Sequence, residues 1–162
     1  MRIGQGIDVH AFLEPGSANH IMLGGVEISH DRGVLAHSDG DVLIHALMDA
    51  LLGALGLPDI GHQFPDSDPK FSGANSMLLL ASVVALMDQA ALRIENLDAT
   101  VLLEAPKLVP YREAIIQSIA QALGCEQERV GLKATTTEKL GFIGRGEGIS
   151  AQVVVLLTSD PT

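Results

Sequence analysis

Residues 3–12 alternate apolar and polar positions closely enough to predict a β-strand, and Gly4 and Gly6 within it leave room for a close backbone approach or a bulge. On such a strand residues two apart share a face, so Asp8 and His10 point the same way. Glu14-Pro15-Gly16 ends it, and residues 21–23 and 26–28 flank Gly24-Gly25 as a short hairpin would. A helical period follows Ser38-Asp39-Gly40-Asp41. Leu43, Ala46, Leu47, Ala50, Leu51 and Ala54 recur three and four apart until Gly56 and Pro58 stop them. Ser38 as cap, with Asp41 three positions on, matches a capping box. Residues 59–73 are rich in proline and turn formers and read as a loop. Asn75 caps a second helix that extends to about residue 92. Residues 94–104 form a strand with Leu97, Ala99, Val101 and Leu103 on one face. A third helix starts near Pro110 and closes at Gly124, residues 130–136 are β-prone, 138–148 are a glycine-rich loop, and 149–158 are a last strand.

This order of elements predicts a single α+β domain over residues 1–162, a mixed four-stranded sheet with its helices packed on one face. An α/β parallel sheet is the alternative. The apolar share of 47% is aliphatic, since there is no Trp and one Tyr. Together with a mean hydropathy of +0.30 it points to some burial between subunits. Ten basic against twenty acidic side chains give a net charge of −10, with no basic stripe, which argues against nucleic acid and anionic membranes as partners. One cysteine, Cys125, excludes an intrachain disulfide framework and a multi-thiolate zinc site. The longest apolar run, residues 77–87 with only Ser82 interrupting it, is shorter than the ~20 residues of a spanning helix, and the N-terminus lacks a signal-peptide pattern. The expectation is a cytoplasmic protein.

Asp8 and His10 on one face supply two thirds of an open metal site, because catalytic zinc commonly takes three His, Asp or Glu ligands and leaves a fourth position free. His45 on the first helix is the favoured third ligand, although spacing alone leaves His20, His30, His37 and His62 open. Without a metal, Asp8 is a turn residue and the histidines are ordinary core or surface groups. Residues 36–41 offer a helix N-terminus suited to phosphate. The plainer reading there is a cap with two solvated aspartates, Asp39 and Asp41, that repel an anion unless a cation intervenes. Residues 65–69 suit a cation or sugar hydroxyls, or are a stiff turn. Residues 104–107 and 133–139 each end a strand, where ligands often sit. Glu138 there is a hard oxygen ligand of the kind Mg²⁺ accepts, or simply solvated charge. Residues 141–148 are glycines around Arg145 and do not match a phosphate-loop motif.

Taken together, DVH at 8–10, AHSDGDVLIHA at 36–46, DIG at 59–61, FPDSDP at 64–69, EAPK at 104–107 and KATTTEKLGFIGRGEG at 133–148 resemble the 2-C-methyl-D-erythritol 2,4-cyclodiphosphate synthase family over essentially the whole chain. The resemblance implies a homotrimer with active sites between subunits and Zn²⁺ on Asp8, His10 and His45. It implies a second ion, Mg²⁺ or Mn²⁺, on Glu138 and the substrate diphosphate. Contacts to the erythritol phosphate fall on His37, Ser38, Asp59, Gly61 and Asp66, and Asp8, Val9, His10, Ile60, Phe64, Pro65, Ser67 and Asp68 are further substrate contacts. The cytidine pocket falls on Ala105, Pro106, Lys107, Leu108 and Val109 with Ala134, Thr135 and Thr136, from a neighbouring subunit, and Thr137 and Glu138 continue the contact run. His37 and Thr136 match positions of transition-state stabilisation. Phe142 and Arg145 match contact positions near a central cavity where isoprenoid phosphates can bind. Gln5, Ile7, Ser72 and Asn75 depart from residues common in the family.

The implied reaction is attack of the 2-phosphate of 4-diphosphocytidyl-2-C-methyl-D-erythritol 2-phosphate on the β-phosphorus, closing a ring and releasing CMP in the non-mevalonate isoprenoid pathway. The same three ligands also suit a water-activating zinc site of a phosphoesterase, or a structural metal that steadies a trimer.

Overall fold

A computed structural model describes residues 1–65, 67–71 and 73–159. Strand β1 (Arg2–Ala11) alternates in burial, with Gly4, Gly6, Asp8 and His10 turned inward. Helix α1 (Val42–Leu55) lies against those glycines. A Cβ on Gly4 would fall 1.9 Å from the Ala50 carbonyl oxygen, and one on Gly6 2.0 Å from that of Ala46. The two glycines therefore serve close approach and not a bulge, since β1 pairs with the last strand, β6 (Gly148–Ser159), without a register break from Arg2↔Leu157 to Ala11↔Gly148. All of α1 except Asp49, Gly53 and Leu55 is buried, as expected of a helix covered on several sides.

The main sheet has the order β1-β6-β4-β5, where β4 is Leu92–Leu102 and β5 is Val130–Thr135. Its β1/β6 and β6/β4 pairs are antiparallel and β4/β5 is parallel. The sheet is thus mixed, as an α+β fold requires, and is not the parallel alternative. Ile149, Ala151, Val153, Val155 and Leu157 of β6, Leu97, Ala99 and Val101 of β4 and Val130 and Leu132 of β5 are buried. They face α1, α3 (Ser76–Gln89) and α4 (Arg112–Leu123), so the helices sit on one side. The other side is open and apolar along β1, where Ile3 is 72% and Ile7 50% exposed, with Val9 and Val154 beside them.

The hairpin β2 (His20–Leu23) and β3 (Val26–Ser29) turns through Gly24 and Gly25 at φ 63° and 76°, a backbone region glycine enters freely. Its turn decides the cap of α1. Asp41, fully buried, is the N-cap and accepts the Ile44 amide at 3.1 Å, while also accepting the Gly24 and Gly25 amides at 2.9 and 2.7 Å. The capping box predicted on Ser38 is thereby displaced by three residues. Burial pushes the Asp41 carboxyl up, and the three amides oppose that shift.

Asn75 caps α3 as expected, through the Met77 amide at 2.8 Å, but the helix ends at Gln89 and not near residue 92. Ala91 takes φ 53° there and turns the chain into β4. The predicted loops contain short helical turns, α2 (Ile60–Gln63) and α5 (Gly141–Gly144). No described helix is long and apolar enough to cross a membrane.

Candidate metal centre and its flanking cavities

Close packing of α1 on the glycines carries His45 over the inward face of β1. Asp8 Oδ2 lies 3.0 Å from His10 Nε2 and 3.0 Å from His45 Nδ1, and the two ring nitrogens are 3.1 Å apart. Three donor atoms in a triangle of that size leave a point on either side of their plane about 2.0–2.1 Å from each, the bond length zinc takes with imidazole and carboxylate. The donor set therefore fits such an ion. Among the described residues this is the one cluster of His, Cys, Asp or Glu able to hold a metal, so geometry now selects His45 from the histidines that spacing left open. Burial alone would raise the Asp8 carboxyl, but hydrogen bonds and charge from His10 and His45 outweigh it and hold Asp8 well below the usual carboxylate range. Burial would lower His10, yet its hydrogen bond and ion pair with Asp8 leave it raised.

His45 is anchored on its far side. Its Nε2 is 2.9 Å from Ser76 Oγ and 3.1 Å from Ser38 Oγ. Ser76 in turn donates its hydroxyl to Asp39 Oδ1 and its amide to Asp39 Oδ2. Asp39 and Asp41 are therefore engaged by the fold and are not the solvated pair that the local sequence suggests.

The centre opens into a cavity of about 490 Å³ whose walls include Asp8, His10, His37, Ser38, His45, Ile60, Gly61 and Phe64. Asp59 caps the α2 turn by accepting the His62 amide at 3.0 Å. The same turn is tied to α1 by Asp49, whose Oδ1 accepts the Ile60 amide at 2.8 Å. Asp49 is a residue that periodicity alone did not single out, because a lone acid on a helix signals only a polar position. Beyond Phe64, the Pro65 carbonyl accepts the Asp68 amide at 2.9 Å, and Asp68 pairs with Lys70, while Ser67 is exposed. Asp66 lies outside the described residues.

A second cavity, of about 470 Å³, gathers Pro106, Lys107, Leu108 and Val109 with Ala134, Thr135 and Thr136. Its floor is braced by Glu104, which accepts the Thr137 amide at 3.2 Å and pairs with Lys139 at 2.6 Å, a contact that lowers the Glu104 carboxyl. Glu138 and Lys139 between them adopt φ 52° and 67°. Left-handed backbone at two successive non-glycine residues is strain of the kind found at ligand loops. Glu138 Oε1 accepts the Thr136 hydroxyl at 3.1 Å. Arg145 makes a two-pronged pair with Glu147 at 2.7 and 2.9 Å, and Phe142 beside it is 43% exposed.

The two cavities sit at the same end of the sheet but at opposite edges, one at β1 and the other at β5. Three strand spacings separate those edges, roughly 14 Å.

The sequence model of the YgbB family matches residues 1–158. The chain belongs to the YgbB family. Within it, the chain is 58% identical over 159 residues to the 2-C-methyl-D-erythritol 2,4-cyclodiphosphate synthase of Alcanivorax borkumensis, covering 98% of each chain. It is 57% identical over 157 residues to the synthase of Moorella thermoacetica, covering 97% of this chain and 94% of that one. Solved structures agree. The IspF–CDP complex of Plasmodium falciparum superposes with a TM-score of 0.86 at 35% identity, over 99% of this chain and 97% of that one. The bifunctional IspDF of Campylobacter jejuni superposes with a TM-score of 0.90 at 46% identity over 96% of this chain, which spans 42% of the longer protein.

Proposed function

We propose that the chain cyclises 4-diphosphocytidyl-2-C-methyl-D-erythritol 2-phosphate to 2-C-methyl-D-erythritol 2,4-cyclodiphosphate with release of CMP. The observation that carries this reading is the Asp8–His10–His45 triangle on the wall of a cavity shared with His37, Ser38 and the α2 turn, in a chain 58% identical to a synthase of that name.

An oxygen of the 2-phosphate attacks the β-phosphorus. The bond from that phosphorus to the bridging oxygen breaks, and CMP leaves with the electron pair. The nucleophile is already an anion, so the site needs no strong base, and the file of Ser76, His45 and Asp8 need not activate a hydroxyl. Asp8, His10 and His45 would hold Zn²⁺, and Glu138 with the substrate diphosphate would hold Mg²⁺ or Mn²⁺. Those ions would supply the positive charge that a chain of net charge −10 lacks for drawing two phosphates together. The contacts assigned to the erythritol phosphate are Asp59 and Gly61 at the α2 turn, His37 and Ser38 beside the centre, and Asp66, with Val9, Ile60, Phe64, Pro65, Ser67 and Asp68 as further substrate contacts. His37 and Thr136 are the groups assigned to developing charge. Ala105 through Val109 and Ala134 through Thr136 would hold the cytidine end. Fixing both ends of one substrate can supply roughly 7–11 kcal/mol of the barrier.

Opposite-edge cavities favour a homotrimer, in which the β5 edge of one subunit meets the β1 edge of the next. The open apolar face of β1 and β6 gives such subunits a surface to bury. Phe142 and Arg145 would border the cavity enclosed at the centre, where an isoprenoid phosphate would share the Arg145 guanidinium with Glu147.

Product analysis by phosphorus NMR tests the reading. Cyclic diphosphate plus CMP is expected. A linear phosphate product would favour a water-activating hydrolase, and metal-dependent stability with no turnover would favour a structural metal.

A further inference from the structure

Ser76 is fully buried at the first position of α3, and the proposed reaction gives it no task. A buried hydroxyl must find partners, and those of Ser76 permit one arrangement of protons. Asp39 is a pure acceptor when ionised, and it takes both the hydroxyl and the amide of Ser76. Its Oδ1 also accepts the Asp41 amide at 3.2 Å. With its own proton committed to Asp39, Ser76 Oγ can only accept from His45 Nε2, 2.9 Å away. The proton of the neutral imidazole must then sit on Nε2, where Ser38 Oγ at 3.1 Å is a second acceptor. In that neutral ring, the form a metal ligand takes, the lone pair is on Nδ1, the atom 3.0 Å from Asp8 Oδ2 and 3.1 Å from His10 Nε2.

We infer that Asp39 and Ser76 are positioning residues of the metal centre. The chain from the Asp39 carboxylate through the Ser76 hydroxyl to His45 Nε2 holds the His45 ring in the tautomer and orientation that present Nδ1 to the ion. The inference rests on Asp8, His10 and His45 being the metal ligands. Ring partners of this kind fix a ligand and raise its basicity, and their loss commonly weakens metal binding 10–100-fold. The arrangement also joins the start of α3 to the helix that carries His45.

The experiment is a zinc competition titration against a chromophoric chelator, with wild type, Ser76→Ala, Asp39→Asn and His45→Ala, beside the melting temperature of each metal-free protein. Asp39→Asn is the sharper variant because its shape is unchanged. Either orientation of the amide sets a donor against a donor, at the Ser76 amide or at the Asp41 amide and Ser76 hydroxyl, and the second reverses the proton chain and turns His45 to the wrong tautomer. The expected result is zinc binding weakened about 10–100-fold in both Asp39→Asn and Ser76→Ala, with metal-free proteins still folded. Nitrogen-15 spectra of the zinc-loaded wild type should place the ring proton of His45 on Nε2. Affinities within about twofold of wild type, or zinc on Nε2, would overturn the inference while leaving the ligands intact. A wild type that takes up no zinc, or a His45→Ala variant that binds it normally, would overturn the ligand reading and this inference with it.

Discussion

Gly6 lies directly beneath Ala46, so close that a methyl group at residue 6 would meet the Ala46 carbonyl oxygen at 2.0 Å. The contact sets the height of α1 above β1, and His45, the residue before Ala46, reaches the strand where it carries Asp8 and His10. Strand periodicity aligns two donors, and the missing side chain brings the third.

Gly6→Ala should therefore damage both fold and site. Gly6 is not in the left-handed region, so the penalty is steric, and an overpacked backbone contact costs about 1–3 kcal/mol or more. Urea unfolding should show that loss, and zinc content should fall below one ion per chain as His45 lifts away. Wild-type stability with full zinc content would mean that α1 does not depend on this approach.

Zinc affinity should climb with pH. The ion pair with Asp8 raises the His10 pKa above its ordinary 6.5 in the metal-free protein. A raised imidazole contributes stability that is fully present below its unfolded value and is lost as pH rises through the folded one. Zinc requires the neutral ring and must displace that proton, so binding weakens as pH falls through the raised His10 value. Competition titrations across about pH 6–8 would detect it, and a flat profile would show that His10 is not a ligand.

The open sheet face supplies a test of assembly. Ile7 is half exposed on a surface it shares with Ile3, Val9 and Val154. Ile7→Asp should place a charge within the buried face of the proposed trimer and shift sedimentation toward monomer, with turnover lost because neighbouring edges no longer meet. A trimer that survives the substitution would place the interface elsewhere.

Much of this architecture is legible from local pattern, for local reasons. Alternation marks β1, the period of three and four marks α1, and Asn75, Gly56 and Gly124 mark helix ends because caps are chemistry between near neighbours. The misplaced cap shows where local reasoning stops. Ser38 and Asp41 have capping-box spacing, yet Gly24 and Gly25, distant in sequence, orient the Asp41 carboxylate as the cap and leave Ser38 to His45. Ser76 and Asp49 go unmarked in the sequence, and Asp39 reads there as a solvated acid, for the same reason. Each works through a partner more than ten residues away, and nothing in its own neighbourhood marks it. The family resemblance supplied what periodicity could not, the choice of His45 as third ligand, and the geometry then agreed.

The most direct test of the central claim is CMP release from 4-diphosphocytidyl-2-C-methyl-D-erythritol 2-phosphate, with and without EDTA, by wild type and by His45→Ala. The predicted result is stoichiometric CMP and cyclic diphosphate from wild type, loss of both with EDTA, recovery on adding back Zn²⁺ with Mg²⁺ or Mn²⁺, and none from His45→Ala. Undiminished CMP release by the chelated wild type or by His45→Ala would contradict it.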